Sequence, residues 1–213
     1  MFLTFPHRTD SLSVAGRSLP PVGVLALQGD VREHVALLSA LGADAREVRT
    51  PAHLNDVYGL VIPGGESSVM DKLSRLFGLR DPVRERIARG MPVYGTCAGL
   101  IMIADRVHDA IPGQQTLGGL DVTVRRNAFG SQLDSFETDL TIAALGEPPV
   151  HAVFIRAPVV DQIGAGVNVL ATLDDGRIVA VEQGRLLGTS FHPEVSGETR
   201  FHARFLDHVA AAS

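Results

Sequence analysis

The chain has 213 residues, enough for one domain with a sizeable core, and its 45% hydrophobic and 20% charged content is ordinary for a globular protein. A net charge of −5 and a pI near 5.9 argue against a general binder of nucleic acid or anionic membrane. The single cysteine excludes an intramolecular disulfide and a multi-cysteine zinc site, and fits a reducing compartment such as the cytoplasm.

No apolar run approaches the ~20 residues of a membrane span. Met1 to Pro20 lacks the sustained apolar stretch of a secretory signal. Residues 1–20 are expected to be a flexible extension, followed by one domain over 21–213. Val22 to Leu27 is a near-continuous apolar run, which suits a parallel strand buried on both faces. Gln28-Gly29-Asp30 ends it, and Val31, Val35, Leu38 and Leu41 then recur at helical spacing before Gly42. Glu47 to Arg49 and Gly59 to Ile62 read as the next two strands. Strands alternating with helices at this rhythm predict βαβ units and a parallel sheet, which binds ligands beyond the carboxyl ends of its strands.

Pro63-Gly64-Gly65-Glu66-Ser67-Ser68 falls at such an end. It reads in two ways. It is an ordinary glycine-rich turn with Ser67 or Ser68 capping the next helix, or a loop whose backbone N–H groups approach a ligand closely, as an oxyanion hole requires. It lacks the Gly-Lys-Ser/Thr ending of a phosphate loop. Arg80 to Arg89 reads as a charged amphipathic helix.

Met91 to Tyr94 is a buried strand that breaks at Gly95-Thr96-Cys97-Ala98-Gly99 and passes into the helix-like Leu100 to Ala104. Free cysteine is often a small core residue. Here the paired glycines at a strand-to-helix junction favour the cysteine version of a nucleophile elbow. The turn lifts the side chain clear of the sheet and places the sulfur at a helix N-terminus, a setting that favours thiolate. The elbow specifies a nucleophile and not a reaction.

Gly113 to Gly119 is loop-like, Leu120 to Val124 alternates as a strand, and Arg125 to Gln132 is turn-rich. Adjacent arginines are usually solvated, although Arg126 also suits a bidentate contact with a substrate carboxylate. Leu133–Ile142, Ala152–Val160, Val167–Leu173, Ile178–Glu182 and Leu186–Thr189 read as short strands, with Gln183-Gly184-Arg185 a hairpin turn. They predict an antiparallel extension of the parallel sheet, closed by a helix from about Glu198 to Ala212.

Of eight histidines, His192 stands out, just past a strand end in Ser190-Phe191-His192-Pro193-Glu194. Glu194 is placed to orient the imidazole, the third member that triad logic requires. The alternative is a loop histidine beside a surface carboxylate. His34, His151, His202 and His208 read as structural or surface residues, and His7, His53 and His108 carry no partner signal. No histidine pair has ligand spacing with a third donor, so no metal site is predicted.

Pro-Gly-Gly-Glu-Ser, Gly-Thr-Cys-Ala-Gly-Leu and Phe-His-Pro-Glu, in this order, resemble the motifs of the class I, triad-type glutamine amidotransferases. Leu27 to His34, Arg126 to Gly130, Asp134 to Glu137 and Phe154 to Pro158 further resemble the family of glutaminase subunits of pyridoxal 5'-phosphate synthase, over about Val22 to the C-terminus. The resemblance implies a single-domain, three-layer α/β/α, flavodoxin-like fold with a mostly parallel central sheet. It implies hydrolysis of L-glutamine to glutamate and ammonia with no cofactor. Cys97 would be the nucleophile, His192 the acid–base, Glu194 its orienter, and the backbone N–H groups of Gly65 and Ala98 the oxyanion hole. Gly65, Glu66, Ser67, Arg126, Ile155 and Arg156 would line the glutamine site, and Gln28 with Glu66 would couple it to a partner. That partner would be a synthase barrel in a large hetero-oligomer, with neither nucleic acid nor membrane involved. One departure is Ser131, where many relatives carry arginine.

Three other readings compete: a glutaminase serving another synthase, such as that of imidazole glycerol phosphate; a cysteine hydrolase or peptidase on a related sheet; and a catalytically dead assembly module. The intact Cys97, His192 and Glu194 disfavour the last.

Overall fold

The computed structural model describes residues 19–129 and 135–213. Most of the extension expected over 1–20, and Ser131, lie outside the described residues; Leu19, just before the first strand, packs against the core. In chain order the elements are β1 (Val22–Leu25), α1 (Val31–Ala40), β2 (Ala45–Val48), α2 (Pro51–Asn55), β3 (Gly59–Ile62), α3 (Ser67–Leu76), α4 (Arg80–Ala88), β4 (Val93–Thr96) and α5 (Ala98–Ile103). There follow β5 (Ala104–His108), β6 (Leu120–Arg125), β7 (Ser135–Leu140), β8 (Val150–Ile155), β9 (Val159–Ile163), β10 (Asn168–Thr172), β11 (Ile178–Gln183), β12 (Leu186–Thr189), α6 (Pro193–Ser196) and α7 (Arg200–Ala210).

The main sheet runs β2-β1-β3-β4-β12-β11-β9-β6-β5, with β10 on the side of β11. Its first five strands are parallel. β11 reverses direction against β12, β9 pairs antiparallel with both β11 and β6, and β5 lies parallel to β6. Every residue of β1, β3, β4 and β12 is buried. Strand alternation divides them between two cores. Leu25, Leu60, Ile62 and Val93 pack under α2–α5 with Leu54, Met70, Val83 and Leu100. Val22, Val24, Val61 and Tyr94 pack on the other face, under α1 and α7, with Leu38, Phe201, Phe205 and Val209. The result is the expected three-layer α/β/α arrangement with an antiparallel extension.

Four local expectations are corrected. Residues 152–160 are not one strand: the chain breaks after Ile155, where Arg156 takes φ 45°, and resumes as β9 in a different sheet. β7 and β8 form a separate two-stranded sheet and do not extend the main one. The helix expected through Ala104 stops at Ile103 and becomes β5 without an intervening loop, because a short apolar run cannot distinguish buried helix from buried strand. Helix α3 is capped by Glu66, whose carboxylate accepts from the Ser68 N–H at 3.3 Å, and not by Ser67 or Ser68. Among the described residues no helix is long and apolar enough to cross a membrane.

Candidate active site

Cys97 sits between β4 and α5 with φ 48° and ψ −103°, a backbone conformation that a residue with a Cβ adopts only when its surroundings impose it. Its N–H donates to the Thr189 carbonyl at 2.8 Å, which ties the elbow to β12. The two glycines let the turn close. A Cβ on Gly99 would stand 1.9 Å from the Ile62 carbonyl oxygen, and one on Gly95 would stand 2.5 Å from the Gly99 carbonyl. Only bare backbone lets α5 approach β3 and β4 this closely. The elbow opens onto the carboxyl ends of the parallel strands, and the sulfur lies 3.9 Å from the Ile155 carbonyl oxygen.

His192 follows the end of β12 and precedes α6, and its backbone N–H donates to the Val153 carbonyl at 2.9 Å. Ring nitrogen Nδ1 lies 2.7 Å from Glu194 Oε1 and 3.4 Å from Asp30 Oδ2. With Nδ1 committed to carboxylates, Nε2 is the nitrogen left to serve the Cys97 sulfur. A Cβ on Gly64 would stand 2.3 Å from His192 Cε1, so the ring depends on that glycine for its seat. Burial opposes the charged form of His192, but hydrogen bonding to Asp30, Cys97 and Glu194 outweighs it and holds the imidazole pKa well above its ordinary value. Burial raises the pKa of Glu194, while the bond to His192 works the other way.

The sulfur and the imidazole face a cleft of about 270 Å³. Every residue expected to bind glutamine lines it, namely Gly65, Glu66, Ser67, Arg126, Ile155 and Arg156, as do Ala98 and Gln28. Gln28 Oε1 accepts from the Glu66 N–H at 2.7 Å, which bridges the β1 and β3 loops. Arg126 is held from two sides, by Glu66 Oε1 at 2.9 Å and by Gln114 Oε1 at 2.9 Å. Gln114 also donates to Ser67 Oγ at 3.0 Å. The sequence reading missed both Gln114 and Asp30, whose places in the site come from Ser67 and Arg126 and from His192, residues outside their own segments. Among the described residues, the one group of donors within 4.8 Å of one another is Asp30, His192 and Glu194. Both carboxylates of the group converge on His192 Nδ1.

The model of the SNO glutamine amidotransferase family matches residues 24–211, a span that contains the elbow, the His192 turn and the cleft. The chain belongs to this family. It is 67% identical to the pyridoxal 5'-phosphate synthase subunit PdxT of Clavibacter michiganensis subsp. michiganensis, over 91% of this chain and 92% of that protein. It is also 67% identical to the subunit of the same name from Leifsonia xyli subsp. xyli, over 88% of this chain and 94% of that one. A crystal structure described as a glutamine amidotransferase superposes with a TM-score of 0.82 at 48% identity, covering 89% of this chain and 98% of the other. The α/β/α fold is thus one that this chain shares with a solved glutamine amidotransferase.

Proposed function

We propose that this SNO-family protein hydrolyses L-glutamine to L-glutamate and ammonia through a thioester on Cys97, and delivers the ammonia to a partner synthase subunit that makes pyridoxal 5'-phosphate. The observation that carries the reading is the placement of an elbow cysteine and a His192–Glu194 pair, 2.7 Å apart, on one cleft in a chain of this family. Arg126 and Arg156 supply positive charge for the substrate's carboxylate, and Glu66 supplies an anion for its ammonium group.

Cys97 Sγ attacks the side-chain amide carbon, and the carbonyl oxygen becomes an oxyanion that the N–H groups of Gly65 and Ala98 hold. Each such donor contributes about 3–4 kcal/mol in comparable sites. His192 gives its Nε2 proton to the nitrogen of the breaking C–N bond, and ammonia leaves. Acylation removes the charge from sulfur, so one of the influences that kept the proton on His192 is gone when the proton is needed. The neutral imidazole then takes a proton from water, the hydroxide attacks the thioester, and glutamate departs as the thiolate re-forms. Glu194 holds the ring throughout.

Residues 21–213 form the glutaminase domain, acting in the cytoplasm within a large hetero-oligomer and using no metal or cofactor. Gln28 and Glu66, joined by their hydrogen bond, connect the cleft to the surface where the synthase docks. The test is glutamate release from glutamine, measured alone, with a pyridoxal 5'-phosphate synthase barrel, and with an imidazole glycerol phosphate synthase subunit as comparison. Stimulation by the first alone is expected. Absence of glutamate under all three conditions refutes the reading. Cys97→Ala is expected to abolish hydrolysis and keep complex formation.

A further inference from the structure

Behind the cleft lies a buried polar chain that the hydrolysis does not account for. His34, from α1, and His202, from α7, are fully buried although 168 positions apart, and their rings meet with His34 Nδ1 2.8 Å from His202 Nε2. The other nitrogen of His34 lies 3.2 Å from Thr96 Oγ1, the residue before the elbow cysteine, and 3.6 Å from Glu194 Oε2. That carboxylate oxygen is buried with no hydrogen-bond partner, while its twin holds His192. Tyr94 stands edge-on to His202 with ring centroids 5.4 Å apart, so the pair sits in a packed wall.

We propose that His34 is a positioning residue of the hydrolytic site: its Nε2–H, fixed by His202, faces the outer carboxylate oxygen of Glu194 from 3.6 Å and steadies it as a dipole opposite a charge. The inference rests on the glutaminase reading above.

The proton placement follows from the two atoms left over. Between two neutral imidazoles one nitrogen donates and one accepts. If His202 Nε2 donates to His34 Nδ1, then His34 carries its hydrogen on Nε2, facing Thr96 Oγ1 and Glu194 Oε2. His202 Nδ1 is then a bare lone pair with no donor to meet. The opposite arrangement lets His202 Nδ1–H turn toward the Glu198 carbonyl of the preceding turn, but it sets the His34 lone pair against a buried carboxylate oxygen that has no other partner. That is the costlier defect, because a buried charged group loses more by facing a lone pair than a neutral N–H loses by a loose bond. Burial keeps both imidazoles neutral: the pKa of His34 falls well below its usual value and that of His202 falls to about 4. A neutral donor can steady Glu194 without competing with His192 for its charge. Removing it leaves the carboxylate free to rotate, so that Oε1 no longer holds Nδ1 and Nε2 no longer points at sulfur.

Two measurements on the full chain test this. Long-range proton–nitrogen NMR on histidine-labelled protein reads the tautomer without substrate, so it stands apart from any failure of the glutaminase reading. Hydrogen on Nε2 of His34 is expected, and hydrogen on Nδ1 overturns the proposal. The second compares His34→Leu with His34→Gln, whose amide can present an N–H near the same place, in synthase-stimulated hydrolysis. The leucine variant is expected to lose about 10- to 100-fold in kcat with KM within about twofold of the parent, and the glutamine variant to regain most of it. A leucine variant with parental kcat, or a folded glutamine variant as slow as the leucine one, overturns the proposal. If the leucine variant does not fold, the tautomer and the glutamine variant decide: a glutamine variant near parental kcat supports it.

Discussion

Gly99→Ala is the sharpest probe of the elbow because the two effects of the substitution have opposite signs. In the interior of a helix alanine is favoured over glycine by about 1 kcal/mol, so local propensity alone would make the variant more stable. Packing opposes this. The new methyl would stand 1.9 Å from the Ile62 carbonyl oxygen, a backbone atom of a central strand that cannot rotate away. Restoring ordinary contact requires α5 to retreat by about 1.5 Å, and overpacking of this kind costs about 1–3 kcal/mol, occasionally more. Backbone on both sides places Gly99 at the upper end, so the net loss expected is about 2 kcal/mol. In a chain of this size that lowers Tm by roughly 4–8 °C. A 1 Å displacement of Cys97 is also expected to cut hydrolysis about 100-fold. Gly188→Ala is the control, since its methyl would meet the flexible end of Leu100 at 2.6 Å and should cost less. Scanning calorimetry with synthase-stimulated glutamate release reads both effects. A Gly99→Ala variant as stable and active as the parent would refute the close-approach argument.

Glu194→Gln removes the charge that orients His192, and kcat is expected to fall about 10²- to 10⁴-fold with little change in KM; steady-state kinetics showing parental kcat would count against the triad. Asp30, at 3.4 Å from the same nitrogen, should keep the loss toward the lower figure, so Asp30→Asn added to Glu194→Gln is expected to deepen it. Arg126→Ala is expected to raise KM for glutamine about tenfold or more, because it removes a nearly buried cation and leaves Glu66 without its cationic partner; an unchanged KM would remove Arg126 from substrate binding. Stability should fall on acidification. Unfolded histidine titrates near ~6.5, whereas folded His202 does so only at about 4, and folded His34 well below its usual value. The unfolded chain therefore binds more protons in that window, and the contribution of these two groups, complete above pH ~6.5, declines by about 1.4 kcal/mol per pH unit for each as pH drops toward 4. Urea melts of the parent and of His202→Leu should show the slope shallower in the variant, and equal slopes would refute this.

The parts of the fold legible in the sequence are those whose physics is local. The runs at Val22–Leu25, Gly59–Ile62 and Val93–Thr96 are apolar on both faces because both faces are covered. The turn at Gln183-Gly184-Arg185 marks the β11–β12 hairpin. Cys97 was legible because the glycines two before and two after it are demanded by close backbone contacts at the elbow itself. His34 was not. Its helical spacing matches that of an ordinary core residue, and nothing within its own helix reveals that its partners are His202 on α7 and Thr96 at the end of β4. Gln114 was invisible for the same reason, as a loop residue whose meaning comes from Arg126 and Ser67. The break at Arg156 was missed because Ala152 to Val160 carries β-forming residues on both sides of it, and strand propensity does not register a change of sheet.

That break belongs to a pattern that connects fold to chemistry. Among the described residues, four without glycine's freedom take positive φ, and three of them, Cys97, Asn127 and Arg156, line the cleft. They come from three separate strand ends, those of β4, β6 and β8. Conformations of this kind cost about 1–3 kcal/mol each and persist only where neighbouring structure enforces them. Here the enforcement is identifiable at Cys97, and a second main-chain bond braces β8, the strand that Arg156 follows. The Thr189 carbonyl holds the Cys97 N–H, and the Val153 carbonyl on β8 holds the His192 N–H, two residues before Ile155 presents its own carbonyl to the sulfur. Cys97, His192 and the wall that faces the sulfur are thus fastened to one another by main-chain bonds, not only by their side chains. Side-chain substitutions in the cleft should therefore alter rate or affinity while leaving its shape, whereas Gly99, which touches no substrate, governs the geometry from behind.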